Sequence, residues 1–203
     1  LAFVFIGYFR MWDETISTFA IILKSVILAV LIGLPTGIAM SRSDRTQSIV
    51  TPILDIMQTM PPFVYLIPIV MLMGIGKIPG LIAVVIYAIP PLIRLTNLGI
   101  REVDKEALEA ADAFGATKKQ KLYQVQLPLA LPTIFAGINQ TIMMALAMVI
   151  IASMIGVKGL GQPVLQSIYN QYFTKGVLYG LAIVIVALSL IHISEPTRPL
   201  SLS

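Results

Sequence analysis

From Ala20 to Met40 the chain runs apolar with a single charge, Lys24, close enough to the start of the run to reach the headgroups. Wound as a helix at about 1.5 Å per residue, that run measures ~31 Å, the thickness of a bilayer's hydrocarbon core. Runs of this kind recur. Residues 49–75 form a second, broken by Asp55, Gln58 and Pro61-Pro62; Leu81 to Leu98 form a third, with Pro90-Pro91 and Arg94 inside it. Leu127 to Ile155 form a fourth, and a fifth begins at Gly176. Hydrophobic residues make up 57% of the chain and charged residues 12%, half the ~25% of a soluble domain. Too little polar surface remains to face water on all sides, so lipid is the solvent for much of the molecule. The expected fold is an all-α polytopic membrane bundle of five full or partial spans.

The same composition excludes other classes. There is no cysteine, and the one histidine, His192, stands alone, so disulfide frameworks, thiolate metal sites and histidine clusters are ruled out and no metal site is expected. A net charge of +4 suits nucleic acid only if the basic residues form a stripe with aromatics, and none does. No Ser–His, HExxH or paired-carboxylate arrangement lies within the spans, so catalysis by this chain is not expected. The basic residues instead set orientation. Seven of them (Arg42, Arg45, Arg101, Lys105, Lys118, Lys119 and Lys121) lie in the loops on one side, against Lys77, Lys158 and Lys175 on the other. The positive-inside rule puts the long hydrophilic segment 99–126 in the cytoplasm.

Both ends of the chain read oddly. It opens at Leu1 without Met and is apolar from its first residue, as the end of a helix that begins upstream would be. From about Leu188 the pattern of the last span fails, and residues 188–203 read as a translated sequencing adapter, a non-native tail. The expected permease domain is therefore 1–187.

Segment 99–126 resolves into two short helices. Asp104 is placed to cap the first, in which Ala107, Leu108, Ala111 and Phe114 recur at helical spacing. Gly115 suits a left-handed stop, and Thr117 with Gln120 fits a capping box for a second helix with Leu122 and Val125 on one face. Pro128 marks where the next helix starts. A helix–Gly–helix elbow with a small-residue face admits a close protein partner, or alternatively lies on lipid as an interfacial hairpin.

Glu109-Ala110-Ala111, then Gly115, then Val125-Gln126-Leu127-Pro128 resemble the EAA signature of ABC importer permeases, with Val125 where that pattern prefers Ile. Residues 55–68, 89–96, and 137–141 through to 156 further resemble the glycine betaine/proline branch of those permeases. The resemblance covers roughly Trp12 to Ala187. It implies a type I, MetI-like transmembrane domain in a bacterial inner membrane. It also implies translocation of glycine betaine, proline or a related osmolyte by alternating access. The implied partners are a cytoplasmic ATPase subunit that binds the ATP and Mg, a second permease copy, and an extracytoplasmic solute-binding protein or fused domain. In such a permease Glu109, Ala110, Ala111, Gly115, Leu127 and Pro128 belong to the ATPase-coupling loop. Choline or carnitine are alternative solutes, and a passive channel or membrane scaffold is the alternative class.

Asn139, Gln140, Pro61 and Pro62 are candidates for lining the solute path; Asn139 and Gln140 otherwise bond to neighbouring helices. Asp55 and Arg94 suit a gate, an ion pair or, near span ends, simple interfacial anchors. The glycine-rich stretches 74–80 and 156–161 do not fit G-x-x-x-x-G-K-[ST] and are read as turns, not phosphate loops.

Overall fold

The computed structural model describes residues 6–194, with side chains as far as residue 190. Among these residues the chain is helical throughout. In chain order the helices are α1 (Trp12–Arg42), α2 (Asp44–Thr59), α3 (Pro62–Met73), α4 (Lys77–Ala88), α5 (Pro90–Arg101) and α6 (Lys105–Ala113). A helical turn, α7 (Lys118–Gln120), passes through a π-helical stretch (Lys121–Gln126) into α8 (Leu127–Ala152), and a 3-10 turn (Ser153–Ile155) follows. The order closes with α9 (Gly161–Tyr169) and α10 (Phe173–Ser194). Four helical stretches are long and apolar enough to cross a membrane, and a fifth results if α2 and α3 count as one broken span.

Several boundaries differ from the expectation. α1 has 31 residues, about 46 Å, and begins well before Ala20, so Lys24 lies inside the helix and not near its start. The turn expected over 74–80 is confined to Gly74–Gly76, because α4 already begins at Lys77. α10 continues to Ser194, across the start of the segment read as a tail; residues 195–203 lie outside the described residues.

The two proline pairs behave differently. Pro61 sits at φ −59°, ψ 144°, an extended conformation, so the helix stops and restarts with Pro62 at its first position. Ile89, before Pro90, stays helical at φ −73°, ψ −33°, and the Ile93 amide still donates to the Ile89 carbonyl at 3.3 Å. Pro90 and Pro91 then occupy the first turn of α5, where a missing N–H costs nothing. Residues 77–101 thus form one span despite Pro90-Pro91, while the break at Pro61-Pro62 is real.

The chain divides into two compact units. The first comprises residues 6–28, 60–88 and 142–194. Its core is built from small and β-branched side chains, with Ala83, Val84 and Ala88 of α4 buried against Ala145, Met148, Val149 and Ala152 of α8 and Val186 of α10. The Met-rich run is mostly packing, since Met148 is buried and Met144 packs on this core. Thr18 closes the unit: its hydroxyl donates to the Glu14 carbonyl at 2.8 Å and accepts the Leu160 amide at 2.9 Å.

The second unit comprises residues 29–59 and 89–141. Here α5 is gripped by glycines on both sides. A Cβ on Gly37 of α1 would stand 2.6 Å from the Thr96 Cβ, and one on Gly33 would stand 3.1 Å from Leu92 Cδ2. From α8, Gly137 faces the Leu92 backbone at 3.3 Å, while Gly99 of α5 faces Thr133 at 2.9 Å. Without a hydrophobic drive between helices in lipid, such small residues let backbones approach and gain dispersion contact. Gly33 and Gly37, four apart, form the pair whose spacing signals this packing, a signal absent from the reading above.

Candidate functional site

The elbow at 102–126 is built by local chemistry. The Asp104 carboxylate accepts the Glu106 amide at 3.0 Å and caps α6. At the other end the Ala116 amide donates to the Ala111 carbonyl at 3.0 Å, five residues back, with Gly115 at φ +72°. That six-residue closure with a left-handed glycine is a Schellman stop. One residue later Thr117 and Gln120 exchange capping bonds: the Thr117 amide donates to Gln120 Oε1 at 2.9 Å and the Gln120 amide to Thr117 Oγ1 at 3.4 Å. Asp104, Gly115 and the capping box stand where the sequence placed them.

The two arms differ in anchorage. No residue of α6 is buried, whereas Leu122 in the second arm is 1% exposed and packs with Leu92, Ile100, Ala130 and Ile134. Lys121 pairs with Asp112 across the elbow, and Gln126 Nε2 reaches the Ile100 carbonyl at 3.5 Å. The second arm runs without interruption into α8, because the π-helical turn absorbs Pro128: the Leu127 amide donates to the Leu122 carbonyl, one residue further back than in an α-helix. A regular helix would set the Pro128 ring against the carbonyl four residues back. The α-helix does restart at Leu127, yet as part of one helical stretch, Lys118–Ile155. We expect Leu122→Ala to destabilise the folded protein by about 2–5 kcal/mol, read as a drop in melting temperature in detergent. Asp112→Ala, breaking a part-exposed pair, should cost no more than about 1 kcal/mol.

Glu109, Ala110 and Gly115 are exposed, Ala111 and Leu127 are half-buried, and Pro128 is exposed. Ala107, Leu108 and Ala111 are half-buried, whereas Phe114, spaced with them, is 92% exposed at the tip beside Gly115. The Schellman stop ends α6 at Ala113 and leaves Phe114 as its C-cap, its amide still donating to the Ala110 carbonyl at 3.1 Å. The arm thus offers a carboxylate, small side chains and a bare aromatic ring, the last a residue type enriched at protein interfaces.

Beneath the elbow, Arg101 fastens α5 to the junction of α1 and α2. Its Nη2 donates to the Met40 carbonyl at 3.0 Å and to Asp44 Oδ1 at 2.7 Å, and its Nε donates to Asn97 Oδ1 at 3.2 Å. Higher in the same unit Arg94 and Asp55 form an ion pair, so they are not separate interfacial anchors. Gln58, Pro91, Arg94, Asn97 and Gln140 line a cavity of about 380 Å³. Of the residues suggested for a solute path, Gln140 is thus brought to a polar cavity. Asn139 is half-buried on the same helix, and Pro61 and Pro62 belong to the first unit. Arg94 and Asn97 were not among those suggested; polar residues facing one way on a membrane helix were the available signal.

Residues 25–195 match the family model described as binding-protein-dependent transport system inner membrane component. The chain is 49% identical over 195 residues to the glycine betaine transport system permease protein OpuAB of Bacillus subtilis, covering 96% of this chain and 69% of that protein. It is 52% identical over 184 residues to the glycine betaine/carnitine transport permease protein GbuB of Listeria monocytogenes, covering 91% of this chain and 65% of that protein. Over 195 residues it is 48% identical to the glycine betaine/proline betaine transport system permease protein ProW of Escherichia coli, covering 96% of this chain and 55% of the relative. The chain therefore spans between 55% and 69% of the length of these relatives. In fold it resembles a chain of the MetNI methionine ABC transporter in inward-facing form, with a TM-score of 0.83 at 22% identity over 93% of this chain and 94% of that one. With its apolar spans, its elbow and the match over residues 25–195, the chain belongs to the family of binding-protein-dependent transport system inner membrane components.

Proposed function

We propose that this chain forms the solute path of an ATP-driven importer for glycine betaine, proline or a related zwitterionic osmolyte. Two permease copies would stand on two ATPase subunits and receive solute from an extracytoplasmic binding protein or domain. The observation that carries this reading is the elbow: an exposed arm with Glu109, Ala110 and Phe114, stopped by Gly115, on a second arm continuous with α8. The names of the relatives near 50% identity support the osmolyte, while choline appears in the name of a relative at 36%.

The geometry gives the coupling a mechanical form. α6 seats in a cleft of the ATPase, Glu109 meets a donor there, and Phe114 fills an apolar recess. Closure of the ATPase dimer around ATP displaces the elbow. Leu122 and the unbroken stretch 118–155 carry that displacement into α8, because no flexible joint lies between them. Two states of the bundle, each favoured by different ATPase contacts, give alternating access.

The test is uptake of radiolabelled glycine betaine by cells lacking their own betaine importers. They would carry the full-length gene and its operon neighbours, with the ATPase intact or disabled in its ATP site. Accumulation that disappears with the disabled ATPase is the expected result. Uptake of another solute instead would overturn the osmolyte, and uptake indifferent to the ATPase would make the chain a passive path.

A further inference from the structure

One face of the second unit is wrong for lipid. Asp55 and Arg94 lie within apolar membrane runs, yet their side chains are 55% and 40% exposed, and Gln58 and Gln140 beside them are exposed too. A charged side chain turned to hydrocarbon at a helix centre costs about 2.5–3.5 kcal/mol on insertion scales. A face carrying two charges and two carboxamides therefore meets water or protein. Of this face Gln58, Arg94 and Gln140 line the cavity of about 380 Å³, roomy for a small organic solute, and Asp55 is tied to it through its pair with Arg94.

The hydrogen bonding of Arg94 is incomplete. Its Nη2 is held by Asp55, but its Nε is enclosed and has no partner among the described residues. A guanidinium presents a planar fork of donors suited to a carboxylate. One edge of Arg94 is thus satisfied by Asp55, and a donor remains for a second acceptor. Asn97, whose Oδ1 accepts from Arg101, makes no bond to it.

We infer that this cavity is a transient subsite for zwitterions, deepening the import function proposed above and resting on it. The solute carboxylate displaces Asp55 from the part-exposed Arg94 guanidinium, whose side chain turns so that its enclosed Nε gains an acceptor as well, and the solute's cationic nitrogen moves onto the released Asp55 carboxylate. Gln58 and Gln140 supply neutral polar contacts at the rim. The exchange conserves charge: one ion pair meets a solute of net zero charge and becomes two ion pairs, with nothing left unpaired. Choline, a cation without a carboxylate, leaves Arg94 unmatched when it takes Asp55. A simple carboxylate leaves Asp55 unmatched. An unpaired charge in a partly desolvated site is the costly outcome, so the pair selects by charge pattern before it selects by shape.

The test uses the full-length permease assembled with its ATPase in lipid nanodiscs. Saturation-transfer difference NMR would report on the methyl protons of glycine betaine at millimolar concentration, alongside uptake in cells. Arg94→Gln should lower betaine uptake by at least about tenfold, the loss of one charge-assisted contact, and should remove a component of the wild-type transfer signal. Arg94→Lys keeps the charge without the fork and should fall between the two. In the wild-type complex, excess carnitine should suppress that component and excess choline should not, a readout that needs no variant to fold. Betaine uptake in the wild type with unchanged uptake and signal in Arg94→Gln would overturn the subsite and leave the importer standing. Equal competition by choline and carnitine would also overturn it. Absence of betaine uptake in the wild type would remove the import reading and the subsite with it.

Discussion

Gly115→Val is expected to abolish most solute uptake while leaving membrane insertion and melting temperature near wild type. Gly115 sits at φ +72°, and a Cβ there would meet nothing within 4 Å, so the effect is one of backbone conformation and not of collision. Left-handed geometry costs an ordinary residue about 1–2 kcal/mol, and a β-branched side chain tolerates it worst. That energy lowers the ratio of native to alternative elbow shapes by roughly five- to thirtyfold. With α6 unburied, little beyond the part-exposed Lys121–Asp112 pair holds the stop: the arm can extend or reorient, carrying Glu109 and Phe114 away from their presented positions. Asparagine, which visits the left-handed region, should restore much of the activity. Transport by the valine variant at the wild-type rate would show that the elbow's shape is dispensable.

Gly37→Leu should have the larger effect on the fold itself. Its Cβ would lie 2.6 Å from the Thr96 Cβ and 2.9 Å from the Ile93 carbonyl oxygen, and the latter is backbone that no rotamer change can move aside. Overpacking of this kind costs about 1–3 kcal/mol where the surroundings can shift. Here α5 is also pressed from the other side by Gly137 of α8, so it has little room to yield. We expect little folded protein in the membrane fraction and a melting temperature well below wild type in detergent. Gly37→Ala should be milder, yet still destabilising. A leucine variant that melts with the wild type would mean that α1 and α5 do not pack as closely as described.

How far the sequence foretold these features follows from the range of the interactions behind them. The elbow was readable almost residue by residue, since Asp104, Gly115 and the Thr117–Gln120 box act within six residues. Membrane runs were readable because length and apolarity are one-dimensional properties. What failed depended on contacts between helices or on a single backbone angle. Pro61-Pro62 and Pro90-Pro91 look alike in sequence, but Ile89 keeps helical angles where Pro61 does not. Asp55 and Arg94, 39 residues apart, form a pair that only the packing of α2 against α5 brings about. The run of six residues before Leu127 gave no sign of a π-helical turn, although Pro128 supplied the reason for one.

The docking of the elbow on an ATPase is tested most directly by position-specific cross-linking. These 203 residues contain no cysteine, so Phe114→Cys, with any cysteine elsewhere in the full-length protein replaced by serine, provides a thiol at a site 92% exposed at the elbow tip. A second variant, Met71→Cys, places the thiol at a site 82% exposed on α3, which belongs to the other unit. Each would be co-expressed with the ATPase encoded beside the full-length gene and treated with a short thiol-to-amine cross-linker in native membranes. The account predicts a permease–ATPase adduct from Phe114→Cys, changed in yield by trapping the ATPase with ATP, and none from Met71→Cys. No adduct from the elbow, or equal adducts from both positions, would contradict it.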